Sequence, residues 1–228
     1  MAKAQVISIG SLLEMLPPRW PGYVLGSGRL FEDRKLNLDS HATVLALRGP
    51  LTARAWPHDV AIGDPGLLAS ELVDSQSPEY DLGIVPHWSD KTLAANPQYY
   101  GSWSTKVMST ADNPLDVIRQ IGRCKKIVSS SLHGLIVADS FGIPRTFEYT
   151  PRFDLEGGLF KFHDYSASIG AEFEPGQLIQ AKAGRVDERK SELRDAYASL
   201  NARLGIKAKM RLKDVISRWL LWHDPVIS

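Results

Sequence analysis

The chain has 228 residues, 43% hydrophobic and 23% charged, a composition that excludes a disordered or fibrous protein and can bury one large core or two modest ones. Its 27 basic and 26 acidic residues leave a formal charge of +1, so no global field draws it to nucleic acid or anionic lipid, and any anion must be held by a local site. The single cysteine, Cys124, excludes an internal disulfide and a multi-thiolate metal site. No apolar run approaches the roughly 18 residues of a membrane span, and the N-terminus lacks a secretory signal, so a cytoplasmic location is predicted.

In chain order, short β-type runs at residues 6–9, 23–25, 44–47 and 60–62 each stop at Gly, Arg-Gly-Pro or Gly-Asp-Pro. Runs at 82–85, ending at Pro86-His87, and at 126–128, ending at three serines, repeat the arrangement. Between and after them lie predicted helices. Asn113-Pro114 opens one over 115–121, closed by Gly122; a second covers 132–141 before Gly142; a third, amphipathic one covers 187–204. Strands alternating with helices predict an α/β fold of Rossmann-like parallel sheets. The polar, turn-rich stretch 71–80 separates the two groups of strands, which predicts an N-terminal Rossmann-like domain at 1–73 and a second at 78–228 with a helical C-terminal extension.

The segment from Lys125 to Pro144 carries the most chemistry. A buried strand turns through Ser129, Ser130 and Ser131 into a helix whose first turn holds Leu132, His133 and Gly134. A helix N-terminus exposes backbone N–H groups and favours negative charge, so this is a candidate anion site, and Gly134 leaves room for a ligand or a neighbouring strand. The plainer reading keeps Ser131 as an N-cap and His133 as a surface residue. A serine nucleophile with a histidine base is disfavoured, because residues two apart at a helix start do not face one another. Arg48 and Asp64 also stand at strand ends, where ligands bind in open α/β sheets; Thr52 is expected to cap the helix after Arg48. His41, His58 and His223 lack metal-ligand spacing, and Trp88, Tyr99, Tyr100 and Trp103 are loop aromatics able to pack the loop or stack on sugar rings.

Arg48-Gly-Pro-Leu-Thr52, Ile62-Gly-Asp-Pro-Gly-Leu-Leu68, Val85-Pro-His87, and Ser130-Ser-Leu-His-Gly134 with Ala138-Asp-Ser-Phe-Gly-Ile-Pro144 occur in this order. In them the sequence resembles the polysaccharide pyruvyltransferase family, in a variant similar to exopolysaccharide ketalases. Lys161-Phe-His-Asp-Tyr165 and Ser168-Ile-Gly170 extend the likeness over roughly residues 5–170. The resemblance implies a two-domain architecture like that of the GT-B glycosyltransferases, with phosphoenolpyruvate as co-substrate and no cofactor or metal. It implies that Arg48 and His133 belong to the donor site; the serine turn, Ser129, Ser130 and Ser131 with Leu132 and Gly134, completes the candidate donor set, and His133, Arg48 and Asp64 are the catalytic candidates. His87, Asp164 and Tyr165 are the candidates to meet a glycan or lipid-linked oligosaccharide acceptor, a substrate that would bring the protein to the inner face of a membrane. Two departures stand out. Many relatives carry Arg-Leu before the histidine where this chain has Ser131-Leu132, so another cation, Arg145, Arg152 or Lys161, is expected to substitute. Relatives also begin with a Gly-Asp turn upstream of the region matching 6–28, so either an abbreviated N-terminal domain or a fragment of a longer chain is expected.

Under this reading the activity is pyruvate ketal formation on a sugar. The rivals are a nucleotide-sugar glycosyltransferase of similar fold and a truncated, non-catalytic family member.

Overall fold

A computed structural model describes residues 6–34, 36, 38–90, 92–96, 98, 103–109, 112–149, 155–205 and 211–217. Four strands, β1 (Val6–Ile7), β2 (Tyr23–Leu25), β3 (Thr43–Leu47) and β4 (Ala61–Ile62), form a wholly parallel sheet in sequential order. Five more, β5 (Leu82–Val85), β6 (Thr105–Val107), β7 (Ile127–Ser129), β8 (Arg145–Phe147) and β9 (Leu178–Ile179), form a second sheet in the order β6-β5-β7-β8-β9, parallel except at β9. The parallel α/β architecture expected from the alternation is therefore present, and the sheets change over between β4 and β5.

Six of the strands sit within a residue or two of the apolar runs that predict them. β6, β8 and β9 are additional. Thr-Lys-Val and Arg-Thr-Phe do not read as apolar runs, yet β8 is fully buried because its arginine finds a carboxylate partner inside.

The helices are α1 (Pro50–Ala53), α2 (Pro114–Gly122), α3 (Leu132–Ser140), α4 (Phe160–Ser168), α5 (Ala183–Leu204) and α6 (Leu212–Ser217). Asn113 caps α2 by accepting from the Leu115 N–H at 3.0 Å, with Pro114 at the first position, where its missing N–H leaves no bond unmade. α1 begins one residue after Gly49 for the same reason. Gly49, not Thr52, holds its N-cap position, and the Thr52 side chain points inward. α5 starts four residues before the predicted 187 and buries Val186, Leu193, Ala196 and Leu200 along one stripe.

α3 packs against both β7 and the 3-10 segment Pro65–Leu72 that follows β4, while α5 lies on β3 and β4. One apolar core runs through both sheets: Leu25 and Ala46 of the first belong to the same cluster as Val85, Ile127 and Phe147 of the second. This packing brings the C-terminal ends of β3 and β4 toward those of β5 and β7.

Candidate functional site at the facing strand ends

Arg48 follows β3 directly, Asp64 lies two residues after β4, His87 two after β5, and His133 in the first turn of α3 after β7. The fold thus collects four of the sequence candidates from four strand ends, the position expected for a ligand site in parallel sheets.

Asp64 and His133 form the centre. Asp64 is fully buried; its Oδ1 accepts the Gly66 N–H at 2.8 Å, its Oδ2 has no hydrogen-bond partner, and that oxygen lies 3.7 Å from His133 Nε2. The His133 side chain keeps 13% of its surface exposed, so the pair has an open side at the imidazole and a closed side at the carboxyl. Burial raises the Asp64 carboxyl to about 7, against the opposing Gly66 N–H and Arg48 charge and with help from Asp164. Burial, then the charges of Arg48, Lys161 and His87, hold His133 well below its ordinary value. Burial thus acts on both groups in the direction of the uncharged form.

His87 is half-buried. Its backbone N–H donates to Ser130 Oγ at 2.9 Å, and its Nδ1 lies 2.8 Å from Ser89 Oγ. Burial and the nearby Lys161 charge lower it to about 4, partly offset by Asp90, so it is a neutral imidazole at physiological pH. Lys161 projects from the first turn of α4, with Nζ 3.3 Å from the Glu156 carbonyl.

The serine turn is organised from within. Ser129 Oγ contacts the carbonyls of Val85 at 2.6 Å and Ser131 at 2.9 Å, and accepts the Ser131 N–H at 2.9 Å. Ser130 Oγ braces the His87 backbone. Ser131 occupies the N-cap position of α3 without a side-chain cap bond, and Leu132 is buried in the core. A Cβ at Gly134 would sit 2.4 Å from Ser129 Oγ and 3.0 Å from Val85, so this glycine admits the neighbouring strand. Of the three serines, Ser129 and Ser130 thereby serve to place His133 and His87.

Arg48 and Asp164 are both completely buried and bonded to each other, Nε to Oδ2 at 3.0 Å. The remaining Arg48 nitrogens donate to Ser11 Oγ and the Arg29 carbonyl, each at 2.6 Å. Asp164 also accepts from the Thr52 N–H at 2.8 Å and the Thr52 hydroxyl at 2.6 Å. This knot joins β3, α1, α4 and the loops after β1 and β2. Gly28 and Gly49 make room for it, since a Cβ on either would lie within 2.2 Å of Arg48 Cζ or of the Asp164 carbonyl oxygen. Arg48 therefore acts on Asp64, His133 and Lys161 through its field. Asp164 and Tyr165, proposed from sequence for the acceptor, lie in the interior: the Tyr165 hydroxyl donates to Asp139 Oδ2 at 2.8 Å, and Arg145 Nε donates to the same oxygen at 2.8 Å. Nothing in the sequence spacing announces this Arg145–Asp139–Tyr165 network. Trp88 and Trp103 are exposed; Tyr99, Tyr100, Arg152 and His223 lie outside the described residues.

Residues 26–147, more than half of the chain, match the family model described as polysaccharide pyruvyl transferase. The chain belongs to this family. The matched region contains all four strand-end residues, Arg48, Asp64, His87 and His133. Among curated proteins, an uncharacterized protein of Acanthamoeba polyphaga mimivirus is 34% identical over 161 residues, an alignment covering 65% of this chain and 55% of that protein. The succinoglycan biosynthesis protein ExoV of Rhizobium meliloti (strain 1021) is 28% identical over 180 residues, covering 76% of this chain and 56% of that protein. The chain thus spans a little over half the length of these relatives. No helix among the described residues is long and apolar enough to cross a membrane.

Proposed function

We propose that the protein is a pyruvyltransferase that takes the enolpyruvyl unit of phosphoenolpyruvate and fixes it as a pyruvate ketal on a polysaccharide or lipid-linked glycan. Family membership supports pyruvyl transfer, and the similarity to a protein named for succinoglycan biosynthesis supports a glycan acceptor. The observation that carries the reading within the site is the buried Asp64 carboxyl, its Oδ2 without a hydrogen-bond partner and 3.7 Å from His133 Nε2 at the meeting of the strand ends.

The reaction asks for such a pair. C3 of the enol must gain a proton as the first sugar hydroxyl adds to C2 and gives up its own. A second hydroxyl then displaces phosphate from C2 and closes the ring. One proton enters at carbon, one leaves each hydroxyl, and phosphate departs with the balance. A neutral imidazole can take the proton of an attacking sugar hydroxyl as a general base, and a carboxyl raised to about 7 is an acid able to hold and give a proton near neutral pH. We assign His133 and Asp64 together to the proton transfers. The uncapped start of α3 and the Arg48 field would favour the anionic donor and the departing phosphate.

The test is isothermal titration of phosphoenolpyruvate and of a nucleotide-sugar panel into wild type and His133→Ala, followed by single turnover with phosphoenolpyruvate and nitrophenyl hexosides. Binding of phosphoenolpyruvate by wild type, retained in His133→Ala while turnover is lost, is the expected result. Binding of nucleotide sugars alone would overturn the reading.

A further inference from the structure

An acceptor sugar must reach the strand ends from solvent. Of the three residues that the sequence offers for it, Asp164 and Tyr165 are buried in the interior and His87 is half-buried. The next residue is open: Trp88 is 57% exposed, whereas Trp20 is buried in the apolar cluster of the first sheet. A single exposed apolar side chain is common on protein surfaces and by itself indicates nothing. Here the loop that carries it is held in place. The Asp90 N–H donates to the His87 carbonyl at 2.9 Å and closes a β-turn over 87–90, with Trp88 and Ser89 at its tip. On one side the His87 N–H donates to Ser130 Oγ at 2.9 Å; on the other the buried Asp90 carboxyl accepts from the Thr92 and Leu93 N–H groups at 3.1 Å each. The His87 ring, its Nδ1 2.8 Å from Ser89 Oγ, meets the indole with ring centroids 5.7 Å apart. A turn anchored at both ends that points its largest side chain outward presents that side chain to solvent instead of packing the loop with it. Its place is also fixed. Val85 and Ser129 are register partners in adjacent strands, and Ser130, bonded to His87, lies three residues before His133. Three Cα steps span at most roughly 11 Å, so Trp88 stands beside the reacting centre and not on it.

We propose that Trp88 is an acceptor-binding residue, its exposed indole face stacking on the apolar C–H face of a pyranose ring that flanks the sugar ketalised at Asp64 and His133. The inference rests on the pyruvyltransferase reading for what happens to the sugar, and on the anchored turn for the site. A pyranose has a rim of hydroxyls around an apolar face, so it suits an indole bordered by the polar His87 and Ser89 side chains. Trp103, 53% exposed, gives the comparison. It precedes β6, whose Thr105 pairs with Leu82 at the start of β5, and so lies at the opposite end of the sheet from the site.

The experiment measures ketal formation from phosphoenolpyruvate on methyl β-glucoside, methyl β-galactoside, methyl β-cellobioside and methyl β-lactoside, whose methyl group cannot itself stack. Wild type, Trp88→Ala, Trp88→Phe and Trp103→Ala are compared, with circular dichroism melts to confirm that each folds like wild type, as expected for exposed positions. Titration calorimetry of the glycosides, of phosphoenolpyruvate and of uridine diphosphate, each alone, reads binding apart from turnover. Trp88→Ala should raise the KM for the disaccharide glycosides about tenfold, with kcat within about twofold and phosphoenolpyruvate affinity unchanged. Trp88→Phe should recover most of the loss, and Trp103→Ala should match wild type. An unchanged KM in Trp88→Ala, a fall in kcat alone, or an equal loss in Trp103→Ala overturns the inference and leaves the pyruvyltransferase reading standing. Glycoside binding that weakens about tenfold in Trp88→Ala, with no ketal formed by wild type, upholds the sugar site and overturns the transfer reading. Uridine diphosphate binding that depends on Trp88, without glycoside binding, overturns the inference in favour of a nucleobase, and binding of no glycoside by wild type overturns it outright.

Discussion

Replacing Arg48 by alanine will unfold the protein more readily before it says anything about catalysis. The guanidinium has no exposed surface, makes three hydrogen bonds, and neutralises an equally buried Asp164. With Arg48 gone, Asp164 keeps the two Thr52 donors but has no counter-charge. Breaking a buried pair from one side typically costs about 3–5 kcal/mol. For a chain of this size each kcal/mol is worth roughly 2–4 °C, so Arg48→Ala should melt roughly 6–20 °C below wild type. Asp164→Asn should fall in the same direction. The double variant Arg48→Met/Asp164→Asn, which removes both charges, should lose less than the sum, with a coupling of about 1–3 kcal/mol. Thermal unfolding by circular dichroism and urea denaturation supply the numbers. Single variants within about 1 kcal/mol of wild type, or a strictly additive double, would refute the scaffolding argument and return Arg48 to the ligand side of the site.

The raised Asp64 carboxyl makes stability depend on pH. In the unfolded chain it ionises near its ordinary 3.8, in the folded protein only near 7, so its contribution is complete below the first value and gone above the second. Asp64→Asn, which mimics the protonated acid, should therefore gain on wild type by on the order of 1–2 kcal/mol between about pH 5 and about pH 7, then hold level; a flat difference across that window would contradict the burial argument. Gly134→Ala should destabilise by about 1–3 kcal/mol, because the clash with Ser129 Oγ and Val85 outweighs the roughly 1 kcal/mol that alanine gains in a helix. Urea titration decides the sign. Burial pushes the Cys124 thiol up to about 12, and the Sγ–H is turned to the Gln120 carbonyl at 3.2 Å, so the native protein should resist a thiol reagent near pH 8 and react only when unfolded. Rapid native labelling would place the thiol at the surface.

The strand positions follow from local chemistry wherever apolar runs end at Gly, Pro or Ser, as at β2, β5 and β7, and Asn113-Pro114 marks a helix start by its capping chemistry alone. α4 escapes that reading. Phe162, Tyr165 and Ile169 have helical spacing and are all buried, but Leu159 offers no cap and the aromatic run looks strand-like. At the site, Arg48, Asp64, His87 and His133 were each legible as residues at strand ends. Their division of labour was not, because Asp164, which binds Arg48, lies 116 positions away in the chain, and only the folded packing pairs them. The same holds for Ser129, whose hydroxyl serves the turn it belongs to, and for Tyr165, drawn into the interior by Asp139.

The most direct test of the account is whether wild type converts carbon-13-labelled phosphoenolpyruvate and a nitrophenyl hexoside into a labelled glycoside and free phosphate. The expected product is heavier than the hexoside by one pyruvate less one water, with a ketal methyl signal in the carbon spectrum and one phosphate released per ketal, and His133→Ala should give none. Glycosyl transfer from a nucleotide sugar by the same preparation, with phosphoenolpyruvate left intact, would contradict it.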